Sequence, residues 1–206
     1  MKTIKFISSN GAVLYNPPYI LSKKIPLELK QMPLFNEKRD EFKGMDHHKL
    51  LDLMGTDREQ EVLSNESWYT YRACPALKES LKSIIVVPIP CEVFIRVFSD
   101  GQYKWFASGE GFEIDTHPLG QRPNYRSDQV QLKFITSIYI DCDPNLRLLF
   151  HHPHFHNEHR FETVTGILQT RLSSVLNINT FWPLPDEGHM DYKLEAGTPI
   201  LSLIHI

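Results

Sequence analysis

Five of the ten histidines fall in one short run, His151-His152-Pro153-His154-Phe155-His156-Asn157-Glu158-His159. Neutral imidazole and carboxylate are ligands for first-row transition ions, so this run asks for Zn, Fe, Mn, Ni or Cu. Side chains along a strand alternate between its two faces. If a strand starting near Leu146 continues through the run, Leu148, Phe150, His152, His154 and His156 share one face, and Glu158 has the same parity. Three imidazoles and a carboxylate could then hold one divalent ion with a position left open for catalysis. Pro153 favours a different arrangement, because proline removes a ladder donor and belongs at an edge or in a loop. In that case the imidazoles face water or cap turns. His189 or His205 would be the remaining source of a further ligand.

A second grouping is Arg122, Tyr125 and Arg126, with His117, in the loop from Thr116 to Asp128. Guanidinium forks suit anions and a tyrosine ring can stack on a base, so these residues could line a ligand pocket. Pro118, Gly120 and Pro123 also explain the segment as a solvated loop. Trp182, between Phe181 and Pro183, reads as core or, alternatively, as the lining of a pocket mouth. The other large aromatics, Trp105, Phe106, Phe134, Tyr139 and Phe181, read as core. Cys74 before Pro75 is a nucleophile only if a histidine lies beside it, and otherwise a small buried hydrophobe. Asp141-Cys142-Asp143 is followed by Pro144-Asn145 and reads as a turn. There is no glycine-rich phosphate loop, no G-x-S-x-G, no H-E-x-x-H and no zinc-ribbon spacing, which argues against standard nucleotide hydrolases, serine hydrolases and zincin proteases.

Strands must position these groups. Val93, Ile95 and Val97 alternate with Phe94, Arg96 and Phe98, Asp100-Gly101 predicts a type I′ hairpin turn, and Tyr103 to Phe106 returns. Residues 129 to 141 alternate over a long strand with one buried and one wet face. The strand signal begins at Ile84, and further strands are expected over 146–150, 161–169, 175–181, 192–196 and 200–206. Helices are expected at Ala76–Ser83, where Leu77 and Leu81 make a one-sided stripe after Pro75, and over Asp46–Met54. Many short strands between turn residues predict a mainly β fold, an antiparallel β-sandwich of jelly-roll type with one or two short helices.

The 206 residues read as a single domain, with an irregular, proline-broken arm over 1–66 and a β-sandwich body over 67–206. A chain of this length buries enough surface to fold without staples. The formal charge of −3 makes nucleic acid an unlikely partner, since phosphate neutralisation needs a basic surplus. Three cysteines without a C-x-x-C fit a reducing compartment. Apolar runs such as Ile84–Val87 fall far below the roughly 20 residues of a membrane span, and no secretory leader is expected.

Two resemblances extend this reading. His152-x-His154, then Glu158 and Gly166, is similar to the first motif of the cupin family, small β-barrels of the double-stranded β-helix type. It implies His152, His154 and Glu158, with His156 nearby, as ligands of a divalent transition metal (Fe, Mn, Zn or Ni) in an oxygenase or isomerase. The second cupin motif is echoed in Glu195-Ala196-Gly197-Thr198-Pro199, with Glu195 in place of its proline and Ile200 in place of its histidine. Over a longer stretch, from Trp68 and Cys74-Pro75-Ala76 through Asn179-Thr180-Phe181-Trp182-Pro183 to Ala196-Gly197-Thr198-Pro199-Ile200, the chain resembles an uncharacterised group of tailed-phage proteins. That implies a phage or phage-like origin and a place in the host cytoplasm or the virion, with no activity carried over. Together with the absence of a complete catalytic set, it leads to the expectation of a phage-type accessory protein that binds a small ligand or protein partner without catalysis. A cupin-like enzyme and a self-assembling virion component are the alternatives.

Overall fold

The computed structural model describes residues 3–9, 11–31, 74–117 and 127–206, with Glu28 described by its backbone alone. The helix expected over Asp46–Met54 and the pocket candidates Arg122, Tyr125 and Arg126 lie outside the described residues. Two compact units divide the chain, one over 24–82 and the other over 1–23 together with 83–206.

In the first unit the described elements are two helices, α1 (Leu27–Gln31) and α2 (Pro75–Ser83, which runs one residue past the unit). Pro75 opens α2, where a fixed φ and a missing N–H cost nothing. Leu77 and Leu81, one turn apart, are both buried. Ser80 donates back to the Ala76 carbonyl at 2.7 Å.

The second unit is antiparallel throughout. One sheet runs β1 (Lys5–Ser8), β7 (Gln129–Asp141), β11 (Val175–Pro183) and β9 (Glu162–Thr163), with β6 (Glu113–Asp115) also on β7. A second runs β10 (Gly166–Gln169), β8 (Arg147–His151), β13 (Pro199–His205), β3 (Ile84–Pro88) and β2 (Tyr19–Ile20). A third runs β12 (His189–Leu194), β4 (Val93–Phe98) and β5 (Tyr103–Ala107). The segment read as an irregular arm thus supplies β1 and β2, because Lys5–Ser8 pairs with Ile138–Asp141 and Tyr19–Ile20 with Ile85–Val86.

Inward residues of all three sheets meet in one core, among them Phe134 and Leu176, Leu148 and Leu203, and Ile95 and Leu194. This is the mainly β, antiparallel sandwich that the alternating pattern predicts. Trp182 joins the layers. Its ring lies 5.1 Å from Phe161, 4.9 Å from Tyr192 and 6.2 Å from Phe134, and its Nε1–H donates to Thr180 Oγ1 at 2.8 Å.

The β4–β5 turn differs from the expected type I′. Phe98 N–H donates to the Gln102 carbonyl at 2.9 Å, so three residues, Ser99 to Gly101, form the loop. Gly101 has φ +81° and Asp100 is not in the left-handed region, whereas type I′ needs both central residues there. A second glycine, Gly197, sits at φ +90°, and a Cβ there would meet Asn16 Oδ1 at 3.0 Å.

Replacing Trp182 by alanine is expected to cost about 3–5 kcal/mol, the range for deleting a fully buried aromatic, measured by urea unfolding. A loss below about 1 kcal/mol would contradict its place between the layers.

Candidate binding face

The histidine run does not continue the strand. β8 ends at His151, and Phe155 (φ +66°) and Asn157 (φ +49°) turn the chain back after Pro153. The shared face expected for His152, His154 and His156 is therefore lost. Each ring is instead tied locally. Thr163 N–H donates to His152 Nδ1 at 3.1 Å, which leaves Nε2–H to donate to the Glu158 carbonyl at 3.0 Å. His156 Nδ1–H donates to the His154 carbonyl at 2.7 Å, and Tyr19 Oη meets its Nε2 at 3.3 Å. His154 stacks on His151, with ring centroids 4.3 Å apart. The Glu158 carboxylate takes the Arg160 guanidinium in a fork, at 2.9 and 2.5 Å. Burial opposes ionisation of Glu158, but the hydrogen bonds and charge of Arg160 outweigh it and hold the carboxyl below its usual range. Arg160 also donates to the Lys193 carbonyl of β12.

A cupin-type metal would need lone pairs from His152, His154 and Glu158 turned to one point. Both nitrogens of His152 are spent on backbone groups and Glu158 on Arg160, so these residues do not fit that role as placed. Among the described residues no group of three or more His, Cys, Asp or Glu side chains is placed to hold a metal ion. His189 stands on β12, its ring 5.9 Å from Phe98, and His205 ends β13.

Trp182 lies within the core, without solvent exposure, rather than at a pocket mouth. His117 meets Asn179 Oδ1 at 2.9 Å. The Asp143 carboxylate accepts from Asn145 N–H at 2.9 Å, the Asx turn that Pro144-Asn145 suggests. Phe134 and Phe181 are core, as read, whereas Trp105, Phe106 and Tyr139 are surface residues.

The exposed aromatics lead to a site that the sequence reading passed over. Cross-strand partners share a face, so the register of the third sheet fixes what its outer side carries. Phe94 pairs with Phe106 and Lys193, and in the next row Arg96 pairs with Lys104 and Asp191. Phe106 is 63% exposed and Phe94 41%. Together these side chains line an open groove of about 530 Å³ that also reaches Trp105. Arg96 binds Asp191 through two bonds of 2.6 Å. That fork raises the guanidinium pKa further and holds the carboxyl below its usual value. Lys193 bridges Glu92 at 2.7 Å and Glu195 at 2.8 Å while lying 5.6 Å from the Phe94 ring centre. The signal available in the sequence was the wet side of β4, which reads Phe-x-Arg-x-Phe where a solvated face normally carries polar residues.

His151 generates a pH prediction. Its Nδ1–H donates to the His152 carbonyl at 2.8 Å, while Nε2 is buried without a partner, as is the hydroxyl of Ser202 directly across the strand pair. Burial, with His154 and His152 nearby, pushes its pKa down against the one opposing bond. The unfolded chain then binds more protons below the ordinary histidine value of about 6.5, so stability is full above that pH and falls as pH drops toward the folded value. Arg160 and Arg96 hold Glu158 and Asp191 below the usual carboxylate range, outside this window. The urea midpoint is expected to fall between pH 7 and 5.5, and His151→Gln to flatten the slope. A midpoint that is flat or rising on acidification would contradict this.

Among the described residues no helix is long and apolar enough to cross a membrane. Compared with family models, curated proteins and solved structures, the chain matches none of them.

Proposed function

We propose that this chain is a phage-type accessory protein that holds a small ligand on the outer face of the sheet formed by β12, β4 and β5, without catalysis. The observation that carries this reading is the pair Phe94 and Phe106, two phenyl rings side by side on a solvent-facing sheet in a groove flanked by Arg96, Lys104 and Lys193. Covering the part that each ring still exposes, 41% of Phe94 and 63% of Phe106, is favourable by roughly 1 kcal/mol per ring. Pockets that combine apolar rings with a few placed polar groups are the usual form of small-ligand sites. The resemblance to tailed-phage proteins agrees with a binding role and adds no activity. The cupin-like alternative would require His152 and Glu158 to leave their present partners.

The test is a fluorine-labelled fragment library screened by ligand-observed NMR. Hits are expected whose affinity falls at least tenfold, about 1.4 kcal/mol, in the Phe94→Ala/Phe106→Ala double variant. Hits that survive that substitution unchanged would place the site elsewhere.

A further inference from the structure

The chemistry of the face narrows its ligand. From the groove's charge pattern and register, we infer that it takes an uncharged saccharide, an inference that rests on the reading of this face as a binding site. Among the described residues three cations line the groove, but Arg96 is matched by Asp191, and Lys193 by Glu92 and Glu195, all within 2.8 Å. A polyanion would have to bring its phosphates or sulfates against those three carboxylates. Lys104 is the remaining cation, 5.7 Å from the Phe98 ring centre. Net charge on the face is thus close to balanced, which suits a neutral ligand.

A neutral ligand that is apolar throughout would gain nothing from the second row. The Arg96–Asp191 fork leaves capacity on both sides. The guanidinium has five N–H donors, of which the two bonds to Asp191 use two, and each carboxylate oxygen keeps lone-pair sites. Adjacent donors and acceptors held together by this fork match adjacent hydroxyl groups, each of which both gives and takes a hydrogen bond. The fork lies two residues along the strand from the rings, roughly 7 Å. A pyranose laid on Phe94 and Phe106 therefore brings its hydroxyls to Arg96 and Asp191. Its C–H groups, slightly positive, meet the negative ring faces. Neither row would do this alone.

A printed array of neutral and charged glycans, probed with the wild-type chain, tests the inference, with an oligothymidylate as the polyanionic control. The expected result is retention of a set of uncharged glycans, lost at least tenfold in Phe94→Ala/Phe106→Ala and in Arg96→Ala, and nearly constant between low and high salt. Counterion release would instead give a steep salt dependence for a nucleic acid. Two results would overturn the inference separately from the face. If no uncharged glycan binds but the oligothymidylate binds through Phe94 and Phe106, the face stands and the saccharide falls. If neither a glycan nor the oligothymidylate depends on Phe94 and Phe106, the saccharide falls, and the face is judged by the fragment screen alone.

Discussion

The period of two along β4 constrains the rest of the β-sheet unit. Val93, Ile95 and Val97 must point inward to close the core against Trp182, Phe134 and Leu194, so Phe94, Arg96 and Phe98 must point outward. The antiparallel register carries that division across the sheet, placing Phe106 and Lys193 beside Phe94, and Lys104 and Asp191 beside Arg96. A one-residue slip would reverse both faces at once and open the core to water, so the core itself fixes the outer arrangement. Packing explains why those positions face solvent. It does not explain why Phe94 and Phe106 are phenylalanine, since the exposed part of each ring contributes nothing to the fold.

The histidine run has a different place in the structure. Its rings close a turn after β8 and satisfy backbone groups that Pro153 and two left-handed residues leave without ladder partners. His152 alone serves Thr163 N–H and the Glu158 carbonyl. From there Arg160 spans Glu158 and the β12 carbonyl of Lys193, tying this loop to the three-stranded sheet. Lys193 in turn flanks the Phe94 ring. Residues that looked like metal ligands thus brace one edge of the candidate binding face.

Much of the fold was legible because burial here follows simple alternation. The strand over 129–141 and the helix after Pro75 are read directly from period and start signal, and β8, β11 and β13 lie within a residue or two of expectation. The arm was not legible, because Lys5–Ser8 and Tyr19–Ile20 are too short to show a period and are strands only through distant partners in β7 and β3. The hairpin turn was misread because Asp-Gly fits both a type I′ pair and the last two positions of a three-residue loop. The histidines misled for a related reason, since parity arguments hold only while the strand continues. The aromatic face was present in the sequence as Phe-x-Arg-x-Phe, but an aromatic by itself reads as core, and only the register with Phe106 and Asp191 shows that the rings and the charged fork stand side by side.

The central claim is that this face is held apolar for a ligand and not for stability. Urea unfolding of Phe94→Ala/Phe106→Ala against the wild-type chain, without ligand, measures that directly. The expected result is a loss of no more than about 1 kcal/mol, the upper end for an exposed cross-strand aromatic pair. A loss of about 2 kcal/mol or more would show that the rings pack into the fold and would contradict the claim.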